Sequence, residues 1–267
     1  MTETTQTLRP LAVVTGASAG LGKEFATQLA QRGFDLLLVA RDAERLGALA
    51  DELSLLHGVT ATPWPADLSR DVDMRGLAEH LAKESRLMVL VNNAGFGTKG
   101  KLATRPVGEQ ATMLELHVMA PYLLTRAALP GMIERREGVI INVASVASFT
   151  ASQGNVNYCA TKAYQRVFSE GLAMELAGTG VHVQALCPGF THTEFHERMQ
   201  IDKTKGIPNW AWLTADRVVR ESLDEAFRGG PSVVIPGKRY KLTVFALRHM
   251  PLWLRRRMQA RYSKARV

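Results

Sequence analysis

The stretch LAVVTGASAGLG, residues 11–22, decides the fold class of this chain. Its first half is apolar at nearly every position, which is typical of a strand that is buried on both faces of a sheet. Its second half spaces Gly16, Gly20 and Gly22 as GxxxGxG, and the helical pattern that follows ends at Gly33. The stretch therefore predicts a buried strand that turns through a glycine-rich loop into a helix.

The same alternation of strand and helix recurs along the chain. Six further runs predict strands: FDLLLVAR (34–41), VTATPWPADL (59–68), LMVLVNNAG (87–95), GVIINVAS (138–145), VHVQALCPG (181–189) and PSVVIPG (231–237). The second of these is the weakest, because its two prolines remove donors from the strand ladder. The pattern predicts an α/β, single-domain, Rossmann-like fold with a doubly wound parallel sheet, in which ligands bind beyond the carboxyl ends of the strands.

The positive charge of the chain is concentrated at one end. The 267 residues carry a net charge of +8, but residues 238–267 contain ten lysines and arginines and no acid. Residues 1–237 therefore carry a net charge of −2. Because this larger part is nearly neutral, the overall basic balance does not indicate a nucleic-acid-binding protein.

The sequence also indicates a cellular compartment. The start MTETTQTLRP lacks the pattern of a signal peptide, and no apolar run reaches membrane-spanning length. Cys159 and Cys187 form no CxxC motif, and two cysteines alone predict neither a disulfide framework nor a zinc site. We therefore expect a cytoplasmic protein without a metal.

The glycine-rich loop and the end of the second strand suit a dinucleotide. Glycines let the backbone approach a pyrophosphate, whose charge a helix N-terminus favours, although a flexible turn is the ordinary alternative. The second strand ends in Ala40 and Arg41 rather than in an acid. This favours the 2′-phosphate of NADP; a solvated Arg41 ahead of a helix N-cap at Asp42 is the alternative. Asp67 after the third strand fits either an adenine contact or another N-cap.

The strongest chemical signal is SVASFTASQGNVNYCATK, residues 145–162. Ser145 ends a strand, and Tyr158 and Lys162 share one face of the next helix at positions i and i+4. A lysine charge about 4 Å from the phenol, at an effective dielectric of about 20, stabilises the phenolate by roughly 4 kcal/mol, or about three pKa units. We therefore expect Tyr158 to titrate near physiological pH and to exchange a proton with substrate, while Ser145 holds a carbonyl oxygen. A surface YxxxK pair is the ordinary alternative.

Taken in order, TGASAGLG, NNAG (92–95), Ser145, YCATK (158–162) and PGFTHT resemble the short-chain dehydrogenase/reductase family. The resemblance covers roughly residues 10–195, and Ser145 precedes Tyr158 by 13 positions, as the family pattern requires. It implies a seven-stranded sheet in the order 3-2-1-4-5-6-7 and NAD(P)-linked chemistry on carbonyls and alcohols. It also implies a homodimer or homotetramer.

The resemblance further implies the roles of individual residues. Tyr158 is the acid/base, Lys162 holds the ribose and lowers the pKa of Tyr158, and Ser145 orients the substrate. The NADP-binding residues that the loop, the strand ends and the resemblance predict together are Gly16, Ser18, Ala19, Gly20, Leu21, Gly22, Arg41, Asp67, Leu68, Asn93, Ala94, Gly95, Tyr158, Lys162, Pro188, Gly189, Phe190, Thr191 and Thr193.

One catalytic position departs from the family pattern. The family carries an asparagine on the helix after NNAG, and counting either back from Ser145 or forward from Asn92 reaches His117. In the family this asparagine supports a water beside the lysine and steadies the helix. A neutral histidine offers one donor and one acceptor, so it keeps part of that role, and Lys162 favours its neutral form. We expect His117→Asn to preserve or raise activity and His117→Ala to lower it.

The helix that carries His117, within residues 111–132, is predicted to be amphipathic. Four of its residues recur at helical spacing and are expected to share a buried stripe. They are Leu114, Val118, Tyr122 and Leu129.

Two segments beyond this core are expected to be additions to the catalytic domain, residues 1–237. Residues 190–215 form a substrate loop, in which Phe195, Met199, Trp210 and Trp212 either line an apolar pocket or pack the loop on the body. Residues 238–267 form a basic C-terminal extension of two short amphipathic helices split at Pro251. One apolar stripe holds Leu242, Phe245 and Ala246, and the other holds Leu254, Met258 and Tyr262.

The favoured interpretation of this extension is a packing or subunit-contact element, and weak peripheral contact with an anionic membrane is the alternative. The function predicted for the whole chain is an NADP(H)-dependent oxidoreductase that interconverts a ketone or aldehyde and an alcohol, acting on a lipophilic small molecule. A non-catalytic NADP-binding scaffold or sensor of the same fold is the alternative. No nucleic-acid partner is expected.

Overall fold

A parallel sheet of seven strands organises the structure, a computed structural model that describes residues 8–194 and 208–251. Its strands are β1 (Leu11–Thr15), β2 (Asp35–Ala40), β3 (Ala61–Pro65), β4 (Leu87–Asn92), β5 (Gly138–Val143), β6 (Val181–Leu186) and β9 (Val233–Val234). Two short strands, β7 (Thr191–His192) and β8 (Leu213–Thr214), pair in a second sheet. The large sheet has the order β3-β2-β1-β4-β5-β6-β9, and β9 is its seventh strand along the chain, so the predicted order 3-2-1-4-5-6-7 is confirmed.

Helices cover both faces of this sheet. They are α1 (Gly20–Gln31), α2 (Ala43–His57), α3 (Asp71–Lys83), α4 (Val107–Leu114), α5 (Ala120–Arg135), α6 (Val156–Glu175), α7 (Ala215–Phe227) and α8 (Lys238–His249). On β1, Ala12 and Val14 pack into the hydrophobic cluster of α1, α2 and α7, whereas Leu11 and Val13 pack into that of α3, α5 and α6. Because both faces of the strand are buried, its sequence is apolar throughout.

Local sequence signals set several boundaries. Asp42 caps α2, since its side chain accepts a hydrogen bond from the Arg45 N–H at 3.0 Å, and α2 ends at Gly58 with a φ of 62°. The N-cap predicted at Asp42 is therefore confirmed. Pro63 and Pro65 are tolerated because β3 lies at the edge of the sheet.

The predicted helix over residues 111–132 is divided by a π-helical turn, Glu115–Met119, between α4 and α5. The predicted buried stripe is wrong, because Leu114 and Tyr122 are 46% and 42% exposed and Val118 and Leu129 are only half-buried. The buried side instead contains Met113, Leu116, His117, Ala120 and Leu124. A π turn holds one residue more than an α turn and so rotates the faces that a regular period predicts.

The C-terminal helix α8 lies on the body through one side only. Val244 is buried on that side, whereas Leu242 and Phe245 are exposed, so the predicted stripe of Leu242, Phe245 and Ala246 points away from the core. The second predicted stripe, Leu254, Met258 and Tyr262, lies outside the described residues. No helix of the described parts of the chain is long and apolar enough to cross a membrane.

Candidate active site

The carboxyl ends of the strands open into one cavity of about 960 Å³. The loop after β1, the ends of β2 and β4, Ser145, α6 and α8 all contribute to its wall. Every predicted cofactor-binding residue except Gly22 lines this cavity, and so does Ser145. The fold therefore gathers the predicted residues, which are up to 177 positions apart in the sequence, from Gly16 to Thr193, around one space.

The glycine loop is shaped by a close approach between its own backbone and the loop after β4. A Cβ at Gly22 would lie 2.1 Å from the Gly16 carbonyl oxygen, and Gly16 itself has a φ of 66°. The Asn93 amide donates to the carbonyl oxygens of Thr15 and Gly16 at 2.9 and 3.2 Å. Gly22 therefore packs against the backbone of the loop and does not line the cavity. Helix α1 begins at the cavity and has no acid in its first turn. Such a helix N-terminus suits an anion.

Positive charge lies where β2 ends. Arg41 is exposed and lines the cavity, and Arg45, which sequence reasoning missed, lines it four residues later. Burial would raise the pKa of Asp67, but hydrogen bonds from Ser69 and the charge of Arg41 lower it below its usual value. Asp67 accepts from the Ser69 N–H and hydroxyl and does not cap α3, so the N-cap alternative for Asp67 is wrong.

Tyr158 and Ser145 meet at the other side of the cavity. The Ser145 hydroxyl hydrogen-bonds to the Tyr158 phenol, and the Ser145 oxygen also accepts from the Ala147 N–H at 3.1 Å. Burial raises the pKa of Tyr158 to about 12, although the bond from Ser145 lowers it. The expected titration of Tyr158 near physiological pH is therefore wrong for this structure, in which the phenol keeps its proton.

Lys162 does not offset the burial of the Tyr158 phenol. Its Nζ lies 5.8 Å from the centroid of the Tyr158 ring and donates to the Val143 carbonyl oxygen at 2.7 Å and to Gln165 Oε1 at 2.9 Å. Burial among these neutral acceptors lowers the pKa of Lys162 to about 7. A lysine that loses its charge near neutral pH cannot stabilise a phenolate as strongly as a fixed charge would. Gln165, which follows Lys162 at i+3, was not predicted.

His117 lies behind the cavity rather than in its wall, and its ring is completely buried. Its Nε2 accepts from the Phe96 N–H at 3.1 Å, and its Nδ1 is 2.9 Å from the Thr161 hydroxyl oxygen. Because the Thr161 hydroxyl donates its proton to the Tyr158 carbonyl oxygen, Nδ1 must carry the imidazole proton. Burial, and then the charge of Lys162, hold the pKa of His117 well below its usual value, so the predicted neutral form is confirmed.

The segment after β6 is tied to α8 by a tyrosine that sequence reasoning missed. The Tyr240 hydroxyl accepts from the Phe190 N–H at 2.9 Å and donates to the Ala211 carbonyl oxygen at 2.6 Å. Trp212 is buried and stacks on the His192 ring with centroids 4.9 Å apart, so it packs this segment on the body. Trp210 is 63% exposed and is not in the cavity wall. Phe195 and Met199 lie outside the described residues.

Comparison with known proteins identifies the family. The sequence profile of the short chain dehydrogenases matches residues 10–204. The chain belongs to the short-chain dehydrogenase family. It is 38% identical to the uncharacterized oxidoreductase YmfI of Bacillus subtilis over 183 residues, which are 68% of this chain and 75% of that relative.

Two solved structures are similar to this chain in sequence and in fold. A short-chain dehydrogenase from Sphingobium yanoikuyae in complex with NADPH is 33% identical, with a TM-score of 0.82 over 91% of this chain and 97% of that one. A bulky-bulky ketone specific alcohol dehydrogenase from Comamonas testosteroni is 29% identical, with a TM-score of 0.77 over 91% and 95%. This short-chain dehydrogenase is therefore an oxidoreductase of the NAD(P)-dependent alcohol and carbonyl class.

Proposed function

We propose that the protein is an NADP(H)-dependent oxidoreductase that interconverts a ketone or aldehyde and an alcohol on a lipophilic small molecule. The observation that carries the proposal is a shared cavity. The hydrogen-bonded pair of Ser145 and Tyr158 opens onto the same space as the glycine loop and Arg41. A proton donor and a dinucleotide site are thus adjacent, as a reaction between a cofactor and a carbonyl requires.

The residues present fit NADP. The N-terminus of α1 and the glycine loop suit the pyrophosphate, and Asn93, Ala94 and Gly95 line the neighbouring wall. At the end of β2 the residue that follows Ala40 is Arg41 rather than an acid, and the Arg41 guanidinium lines the cavity where a 2′-phosphate would bind. The neighbouring Arg45 also lines the cavity, and its guanidinium is ion-paired with Asp42 and Glu194. The NADPH complex of the Sphingobium yanoikuyae relative supports the same preference.

The proposed chemistry assigns one task to each side chain. A bound nicotinamide supplies hydride to a carbonyl carbon or accepts it from an alcohol. In the reductive direction Tyr158 donates its phenol proton to the carbonyl oxygen, and its raised pKa keeps that proton available across the physiological range. Ser145 holds the same oxygen, and in the oxidative direction its hydrogen bond stabilises the phenolate. Lys162 holds the ribose, as the family resemblance implies.

We assign His117 a positioning role and not a direct one. Its two ring nitrogens are both occupied, by Phe96 in the loop after β4 and by Thr161 on α6. It therefore joins the loop that borders the nicotinamide site to the helix that carries Tyr158. A family asparagine is shorter and could not span both partners in the same way.

The wall of the cavity supports a lipophilic substrate. Four of the residues that line the same cavity as Ser145 are apolar: Val146, Phe190, Val244 and Leu247. The specificity of the Comamonas testosteroni relative for bulky-bulky ketones supports a ketone with large groups on both sides of the carbonyl. We therefore propose a bulky, largely apolar ketone or the corresponding alcohol.

An exposed aromatic cluster supports a homodimer or homotetramer. Tyr122 on α5 lies 6.5 Å from the Phe168 ring on α6, and Tyr164 stacks on Phe168 with centroids 5.7 Å apart. Tyr122 and Tyr164 are 42% and 38% exposed. Burial of these rings against a second copy would remove a large apolar surface from water.

Two broader assignments complete the proposal. The catalytic domain spans residues 1–237, and the C-terminal extension of residues 238–267 adds a wall to its cavity through α8. The protein works in the cytoplasm, which the buried thiols of Cys159 and Cys187 support.

The test measures the turnover of NADPH with a panel of bulky and small ketones, using the absorbance of the reduced cofactor as the readout. We expect oxidation of NADPH with at least one bulky ketone and a preference for NADPH over NADH. Tight NADPH binding without turnover on the whole panel, in either direction, would instead favour the non-catalytic scaffold. Equal binding of NADPH and NADH would contradict the NADP assignment.

A further inference from the structure

The outer side of α8 combines features that no part of the proposed reaction uses. Tyr240, Val244 and Leu247 face the body at positions i, i+4 and i+7. Leu242 and Phe245 lie on the opposite side and are 69% and 61% exposed. At about 100° per residue, these two side chains form one stripe that points directly away from the core.

Cations flank this stripe on both sides. By the same rotation Lys241 and Arg248 lie on one flank and Arg239 on the other, and residues 238–251 contain no acid. The Arg239 guanidinium lies 5.1 Å above the ring of Trp210, which is 63% exposed, and donates to the Trp210 carbonyl oxygen at 3.2 Å. An apolar stripe between cations, with a tryptophan at its border, has the composition of a helix that lies in a membrane interface.

We propose that the outer face of α8, together with Trp210, binds the surface of an anionic lipid bilayer. Leu242 and Phe245 enter the boundary between head groups and acyl chains, and the flanking cations contact the anionic head groups. The four cations of residues 238–250, Lys238, Arg239, Lys241 and Arg248, are accompanied by no acid there and orient this side of the molecule towards negative charge.

Charge also favours a lipid bilayer over the other molecules that could cover the outer face of α8. A second copy would bring the four cations of its own residues 238–250 to the same face, and the sequence of residues 252–267 contains six cations and no acid. Like charges oppose both arrangements. A nucleic acid would match the charge but would leave the central Leu242 and Phe245 against a polar backbone, whereas its interfaces are strongly polar.

This binding is independent of the proposed reaction and is measured on the full chain without substrate. We expect the protein to float with vesicles of phosphatidylcholine containing phosphatidylglycerol, and not with vesicles of phosphatidylcholine alone. Binding should weaken as salt is raised, because the head-group contacts are screened. Hydrogen exchange with and without these vesicles should show slower exchange in residues 238–250.

Matched variants decide whether α8 is responsible. The double variant Leu242→Ser/Phe245→Ser should bind anionic vesicles at least about tenfold more weakly. The control, Leu55→Ser/Leu56→Ser, changes two residues that are 86% and 65% exposed on α2 and should bind like the wild type. All these side chains are exposed, so thermal unfolding should be nearly unchanged in both variants. The proposal would be overturned if the two double variants bound anionic vesicles equally well. It would also be overturned if the wild type did not bind these vesicles, or bound double-stranded DNA instead of them.

Discussion

The two sides of the cavity are built by different physical means. On the nucleotide side, around β1 and β2, the polar part of the surface includes glycine backbone and exposed side chains such as that of Arg41. On the catalytic side, between α5 and α6, it rests on buried side chains that satisfy one another. His117 and Lys162 there are 0% and 5% exposed, and their hydrogen-bond partners within the protein are neutral.

This difference separates affinity from stability. An exposed cation is solvated whether or not a phosphate is bound, so its removal changes ligand affinity and leaves the fold alone. A buried polar group has no water to replace a lost partner, so its removal costs the desolvation of the group left behind. Substitutions on the nucleotide side should therefore change binding, and those on the catalytic side should change chemistry or folding.

The largest effect should come from Tyr158→Phe. Without the phenol proton donor, kcat/KM for ketone reduction should fall by about 10²–10⁴-fold, because general acid catalysis contributes about that much. The binding of NADPH, measured by fluorescence titration, should stay near that of the wild type. Steady-state kinetics with the best ketone of the panel measures the first effect.

Tyr164→Phe is the matched control, since it removes a phenol from the exposed side of the same helix, where Tyr164 is 38% exposed. It should retain wild-type kcat/KM. If Tyr158→Phe turned over as fast as this control, Tyr158 would not be the proton donor.

The second largest effect should come from His117→Ala. This change leaves the Phe96 N–H and the Thr161 hydroxyl without their buried partner and opens a cavity, which should lower the free energy of unfolding by about 2–4 kcal/mol. Urea denaturation measures the loss. Because Thr161 donates to the Tyr158 carbonyl oxygen, kcat should fall as well.

Two substitutions of His117 by an amide side chain test its two hydrogen bonds one at a time. In His117→Asn the side-chain NH₂ can replace Nδ1–H towards Thr161, and in His117→Gln the side-chain oxygen can replace Nε2 towards Phe96. Each should recover part of the stability lost in the alanine variant. If the hydrogen bond to Thr161 controls kcat, His117→Asn should have a higher kcat than His117→Gln. If all three variants were as stable as the wild type, the hydrogen bonds of His117 would not contribute to stability, and His117 would be an ordinary core residue.

The third prediction concerns the nucleotide side. Arg41→Ala should raise the KM for NADPH by about 10–100-fold, since a charge-assisted contact to phosphate is lost, and should change the KM for NADH little. Arg41→Lys should give an intermediate value because it keeps the charge but not the paired donors. The unfolding free energy should be unchanged in both variants. An equal loss for the two cofactors would remove the argument for NADP.

The same division explains what could be predicted from the sequence. The inner strands were predictable because a parallel sheet buries both of their faces, so each of them is a short apolar run. The nucleotide side was predictable because it follows directly from the residues at the strand ends, such as Gly16 and Arg41. On the catalytic side, the position of His117 followed from spacing within the family pattern.

The contacts on the catalytic side were not predictable in this way. The partners of His117 come from two other elements, and the π turn that holds it breaks the regular period on which the stripe of Leu114 and Tyr122 was predicted. Tyr240 reaches Phe190 across 50 positions, for which the sequence carries no signal. Burial, which is not visible in a local motif, also reversed the expected direction of the pKa shift at Tyr158.

The smallest predicted effect, on the pH dependence of stability, tests the burial of Lys162 most directly. The pKa of Lys162 is lowered from 10.5 to about 7 by burial, so between these values the unfolded chain holds a proton that the folded protein lacks. Linkage then makes the folded state more stable as pH rises, by about 1.4 kcal/mol per pH unit. From about pH 8 to about pH 9, the unfolding free energy of the wild type should rise by about that amount relative to Lys162→Met.

Urea denaturation of the cofactor-free protein at the two pH values measures this difference. The control is Lys241→Met, because Lys241 is exposed on α8 and its loss should leave the wild-type slope unchanged. If Lys162→Met instead kept the wild-type slope, Lys162 would hold its charge in the folded state. The catalytic side would then contain a fixed buried cation, and the charge would be available to lower the pKa of Tyr158 as the i, i+4 spacing of the two residues predicts. The contrast between a charged nucleotide side and a neutral catalytic side would no longer stand.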